Sequence, residues 1–222
     1  MVDDHSSIPA NELRPMIGNM GSWLKAIANQ KLGRQKSQPR YAVELRRLKR
    51  AKHIPKRMEK HFEQLRSRLR SLEFLDNFEA TIPAVGPYVS AIVAMSRRDG
   101  DIHFFGHRAT TQVDGKLVDR NDFRFVTWLK DDSLLATHSA QNLPRPRNGV
   151  DQVVVASDDP SIVLRKHVER LRGKQIKQVS PSKLFDVADA ENRRDIDDLL
   201  RRSVVRKATP GELTRIRMDS GV

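Results

Sequence analysis

The chain contains no cysteine, which excludes disulfide staples, thiolate nucleophiles and cysteine-held metals. It has no apolar run approaching the roughly eighteen residues that a membrane-spanning helix needs. The N-terminus carries Asp3 and Asp4 and no compact apolar stretch before a small-residue cleavage site, so it does not read as a signal peptide. A cytoplasmic protein without a transmembrane segment is the expectation. Aromatic residues make up 5% of the chain, too few for the stacking platforms that grip single-stranded bases. Also missing are a glycine-rich phosphate loop, a zinc-protease helix, a nucleophile elbow and any internal repeat. No cofactor is therefore expected.

What is abundant is positive charge, and it is concentrated. The net charge is +13, and residues 31 to 75 alone hold fifteen Lys and Arg against four Asp and Glu. Such asymmetry points to an anionic partner more strongly than a high isoelectric point does.

The apolar residues Leu13, Met16, Ile17, Met20, Leu24 and Ile27 follow helical spacing, although Pro15, Gly18 and Gly21 weaken that helix. A polar, basic connector follows over Lys31 to Pro39. Tyr41 to Leu75 reads as one long basic helix kinked at Pro55, because proline lacks a donor and clashes with the preceding turn. Beyond the kink, Met58, Phe62, Leu65, Leu69 and Leu72 recur at steps of four and three. Two heptads are too few for a coiled coil, so this seam is expected on the protein's own sheet or on a partner helix.

The densest strand signals lie between Tyr88 and Ala140. Two apolar runs flank Asp99-Gly100, a dipeptide suited to the positive φ of a type I′ hairpin. A two-residue loop there sets Arg98 opposite Asp101, Met95 opposite Phe104 and Ile92 opposite His107. Alternation then puts Ala91, Val93, Met95, Ile102 and Phe104 on one face, with Ile92, Ala94, His103, Phe105 and His107 on the other. Both faces are partly apolar, which predicts a position in the middle of the domain. Asp114-Gly115 repeats the turn signal. A second hairpin is expected from Asp122 to Ala140 around Asp131-Asp132, and Val150 to Ala156 supplies a β-branched strand.

Asp159-Pro160 is a helix start, with Asp159 as cap and Leu164, Val168 and Leu171 as the expected buried stripe. Ser180-Pro181 opens another helix, with Leu184, Phe185, Ala188, Ile196, Leu199 and Leu200 as its apolar contacts. Thr209-Pro210-Gly211-Glu212 has the pattern of a capping box. The reading is an α+β fold: a predominantly antiparallel sheet of about five or six strands, a helix packed on it, and helical arms at both ends. It divides into an amphipathic helix and basic linker (1–39), a long basic helix (40–78), an α+β core (79–173) and a C-terminal helical arm (174–222).

His103, His107 and His138, among Asp99, Asp101, Asp119 and Asp122, invite a metal or acid–base reading. In a strand, however, His103 and His107 stand about 13 Å apart along the backbone, whereas zinc ligands converge to about 2 Å from one ion. Half-buried sheet residues are the simpler expectation, and no catalytic or metal-binding residue is assigned. The expected anion-binding residues are Arg46, Arg47, Lys49, Arg50, Lys52, Lys56 and Arg57.

The functional expectation is a non-enzymatic binding protein whose basic helix meets an anionic partner, with nucleic acid the leading candidate. Three alternatives stand beside it. One is a protein–protein interaction module whose basic helix is a solvated face. Another is peripheral attachment to an anionic membrane through the N-terminal stripe and Trp23. The third is an enzyme using the sheet histidines and carboxylates.

Overall fold

The computed structural model describes residues 42–43, 48–86, 88–113, 116–139 and 143–220. The helix expected over Leu13 to Ile27, the Lys31 to Pro39 connector and the Asp114-Gly115 turn lie outside the described residues.

The strands are β1 (Ala42–Val43), β2 (Lys49–Arg50), β3 (Phe74–Thr81), β4 (Ala84–Val85), β5 (Tyr88–Arg97), β6 (His103–Val113), β7 (Lys116–Trp128), β8 (Leu134–His138) and β9 (Val150–Val154). The helices are α1 (Lys56–Arg70), α2 (Pro160–Leu171), α3 (Leu184–Arg201), entered through a 3₁₀ turn at Pro181–Lys183, and α4 (Pro210–Ser220). Seven strands form the main sheet in the order β2-β3-β5-β6-β7-β8-β9, while β1 and β4 pair apart from it. Every neighbouring pair is antiparallel except β8 with β9. The fold is α+β.

The β5–β6 register pairs Met95 with Phe104 and Ile92 with His107, as the hairpin signal implied. The two faces also separate as alternation required. Ala91, Val93, Met95, Ile102 and Phe104 join the core beneath α1 and α2, whereas Ala94 and Phe105 join the core beneath α3. Helices thus cover both faces of a buried sheet.

The turn itself differs from the expected type I′. Among residues 98–101 only Gly100 has positive φ, and it closes a four-residue loop by donating to Arg97 O at 3.0 Å, while the Arg97 amide reaches Ile102 O. The longer loop lets the hairpin tip dock on residue 179: the Val179 amide donates to Gly100 O at 2.9 Å.

The largest correction concerns Tyr41 to Leu75, which is not one helix. Helix α1 starts immediately after Pro55 and ends at Arg70, and Glu73, at φ 65°, turns the chain into β3. Proline is best tolerated at a helix start, where its missing donor would have no intrahelical acceptor. Upstream of it, residues 49 and 50 instead pair with Thr81 and Ala80 at the edge of the sheet. The seam itself is where periodicity put it: Met58, Phe62, Leu65 and Leu69 are buried against the sheet, with Leu72 partly so.

Helix α2 is capped by Asp159, whose carboxylate accepts from the Ser161 amide at 2.9 Å. Its buried residues are Pro160, Val163, His167 and, as expected, Leu171; of the other two expected positions, Leu164 is partly buried against the core and Val168 is exposed. The helix is rotated by one position because His167 finds partners inside the sheet. Helix α3 buries Leu184, Ala188 and Ile196 as expected. In α4 the capping box is complete, with the Glu212 amide donating to Thr209 Oγ1 and the Thr209 amide donating to Glu212 Oε2.

Candidate anion-binding face

The cations expected to form one surface are divided by the structure. Arg46 and Arg47 lie outside the described residues. Arg50 pairs with Ala80 and so points to the α3 side, where its guanidinium lies 4.3 Å from the Phe185 ring centre. Lys49, the preceding residue on the strand, is on the α1 side by alternation. Lys52 is exposed in the bend that leads to α1, and Lys56 and Arg57 are exposed in its first turn.

A tighter group emerges from the helix geometry. Lys52, Lys56, Arg57, Lys60 and Arg68 are all exposed and make no salt bridge to any described residue. Many other cations are occupied. Arg66 bridges Glu63, Asp76 and Glu79, and Arg70 bridges Asp76. On α3 and at its C-cap, Arg193, Arg194, Arg201 and Arg202 are held by Asp189, Glu191 and Asp198. Lys56 and Arg57 also sit at the positive end of the α1 dipole, where Pro55 supplies no side-chain cap. Cations there oppose helix formation, and a bound anion would relieve both terms.

Beside this group, Arg57, His61, Gln64 and Arg68 follow one another at steps of four, three and four along a single flank of α1. The last three line a cleft of about 440 Å³ whose opposite wall is Asn121, Asp122, Phe123, Ser139 and Asp158. Burial and the charge of Arg108 lower the His61 pKa, with Asp119 opposing them. Burial raises the Asp122 pKa, but the hydrogen bond from His107 Nδ1 at 3.2 Å and the charges of His107 and Arg124 outweigh it and leave the carboxyl below its ordinary value. Ser139 Oγ accepts from the Phe123 amide at 2.9 Å and donates to Phe123 O at 3.1 Å. Its hydroxyl is thus committed to the backbone, and no histidine is bonded to it as an activating base. The Asp122 carboxylate, bonded to His107, faces the other side of the sheet by alternation, so the groups the cleft offers a polar ligand are the Arg68 cation, the Gln64 and Asn121 amides and the Asp158 carboxylate.

The three histidines singled out in the sequence do not come together. His103 donates from Nε2 to Gly100 O at 3.2 Å and accepts at Nδ1 from Ser96 Oγ at 3.0 Å, and burial pushes its pKa down to about 4. It ties the hairpin tip to the sheet. His107 pairs with Asp122 across β6 and β7, further along the same face. His138, on β8, lines a second cavity against α3. Among the described residues no three His, Asp or Glu side chains are grouped to hold a metal.

His167 escaped the sequence reading altogether. It is fully buried between Thr127 Oγ1 and Thr137 Oγ1, each 3.0 Å away. Thr127 gives its proton to Asp101 O, so it accepts from His167 Nε2, and Nδ1 accepts from Thr137, which in turn accepts from Arg170. Every member of this chain is satisfied, as the low dielectric of a core requires. The only sequence signal was a histidine one position away from an apolar stripe.

Comparisons with protein-family models, curated proteins and solved structures returned no match.

Proposed function

We propose that this protein binds a polyanion, nucleic acid first among them, through the cations at the start of α1. The observation that carries the reading is that Lys52, Lys56, Arg57 and Lys60 make no salt bridge to any described residue, in a molecule where much of the remaining arginine is held in ion pairs. Unpaired cations in register with a phosphate backbone release counterions on binding, which makes affinity fall steeply with salt. Arg46, Arg47 and Lys49 precede the group in sequence and would extend it, and the neighbouring cleft offers Gln64 and Asn121 for contacts with sugar or base edges.

The test compares the full chain with a K52E/K56E/R57E/K60E variant. Both are titrated by fluorescence anisotropy against duplex DNA and structured RNA between about 50 and about 200 mM salt. Wild type is expected to bind with an affinity that drops steeply across this range. The variant should lose most of it, with a salt slope shallower by about three to four, one unit per phosphate contact removed. Equal binding by both proteins defeats the proposal. Binding to phosphatidylserine vesicles in place of nucleic acid replaces it with the membrane alternative. Binding to neither leaves the protein-interaction alternative in its place.

A further inference from the structure

On the opposite face of the sheet, under α3, lies a cavity whose chemistry differs from that of the α1 surface. Arg124 and His138 are directly opposed across β7 and β8. Residues 143–147 and α3 roof them, leaving a volume of about 150 Å³. Its walls include Leu134, Ala136, Leu143, Pro144, Val150 and Leu199. A cavity of about this size with aliphatic walls takes up a molecule as large as benzene.

The polar groups in this cavity fall into two sets. Arg145 in the roof is exposed to solvent and makes no salt bridge among the described residues, whereas Arg147 is bridged to Glu191 and Asp195, and Arg202 to Asp198, so these two cations have carboxylate partners on α3. Arg124 and His138 have none. The Arg124 guanidinium lies 5.6 Å from the Phe105 ring centre and makes no salt bridge among the described residues. Asp122, two residues earlier on the same face, is engaged by His107. His138 is 7% exposed, and its imidazole makes no hydrogen bond to any described residue. Its ring nitrogens are not fully closed off from solvent, so they open on the cavity, where a ligand can reach them. Burial and the adjacent Arg124 hold its pKa down to about 3, so the ring is neutral near pH 7 and retains one N–H to donate.

We propose that this cavity binds a small monocarboxylate with an apolar body no larger than a benzene ring. The carboxylate accepts from the Arg124 guanidinium and from one His138 N–H, and the apolar body fills the space between the strand residues and α3. A single ligand group thereby satisfies the unpaired cation and the unpartnered imidazole together. A polyanion is too large for the cavity, so this site is separate from the α1 face.

Benzoate and its uncharged analogue benzyl alcohol are the probes, titrated into the full-length protein by calorimetry and by NMR of the His138 ring. Benzoate should bind at least about tenfold more tightly than benzyl alcohol, the worth of one charge-assisted hydrogen bond, and should shift the His138 signals. In Arg124→Gln the preference should vanish while benzyl alcohol binding persists. Equal affinity of the two probes for wild type, unmoved His138 signals, or no binding of either would overturn the proposal. Those readings come from wild type alone and do not depend on how well the variant folds.

Discussion

His167 connects three elements through one imidazole: Thr127 on β7, Thr137 on β8 and its own helix α2. Its tautomer follows from the proton that Thr127 gives to Asp101 O, so the network has a single consistent hydrogen-bond direction. Replacing it with leucine keeps the volume nearly constant but takes the acceptor from the Thr137 hydroxyl and the donor from Thr127 Oγ1, while each keeps one other hydrogen bond, with Arg170 and with Asp101 O. His167→Leu is expected to lower unfolding stability by about 2 kcal/mol, since a buried polar group left short of a partner costs about 1 to 3 kcal/mol. Urea denaturation measures it, and a loss under about 1 kcal/mol would show that the network relaxes. Sequence could not single this residue out. Val163 and Leu164, like His167 and Val168, are neighbours, so two stripes fit the same helical period. Only the hydroxyls on β7 and β8 select the stripe that contains the histidine.

Among the elements, the β5–β6 hairpin shows how a turn is fixed by what it touches. A Cβ on Gly100 would lie 2.6 Å from Val179 O, and the residue is already at φ 65°. Gly173, at φ 73°, has nothing within 4 Å of the same position. Both substitutions carry the left-handed backbone penalty, but only the first also pushes the hairpin tip off residue 179. Gly100→Ala is expected to cost about 2 kcal/mol or more, and Gly173→Ala about 1 kcal/mol. Hydrogen exchange at the Val179 amide should speed up in the first and stay unchanged in the second; equal behaviour would remove the docking argument. The register of this hairpin was legible because Asp-Gly and two-residue alternation act locally. Helix α1 was legible only in part. The apolar seam marked its buried face, but Pro55 suits a helix start as well as a kink, and pairing of residues 49 and 50 with β3 decided between them.

For the molecule as a whole, three buried histidines make stability depend on pH. Burial holds His103 at about 4 and His138 and His167 at about 3 in the folded state. Unfolded imidazoles titrate near 6.5, so between these values the unfolded chain binds more protons and stability rises with pH. The stability is fully present above about pH 7 and is lost as pH falls from about 6.5 toward 4, with a slope approaching 4 kcal/mol per pH unit near pH 5. Urea midpoints measured from about pH 7.5 down to about pH 4.5 check this, and a flat profile would mean that the imidazoles gain solvent or partners in the folded state. On the same scale, no described helix is long and apolar enough to cross a membrane. Charge is laid out unevenly, with much of the arginine on α3 tied down and the start of α1 left open to solvent.

What the sequence determined by itself is whatever short-range chemistry dictates. It fixed the α+β class, the β5–β6 register and the separation of its two faces. It also fixed the Asp159 and Thr209–Glu212 caps, and the identity of the α1 seam. Each depends on residues within a few positions of one another. Tertiary structure alone decided which cations are held in ion pairs, which face Arg50 joined, why α2 turned His167 inward, and how Arg124 and His138 came to face one cavity. Those outcomes depend on contacts between residues far apart in the chain, where the cost of burying a polar group is settled by what happens to lie opposite it.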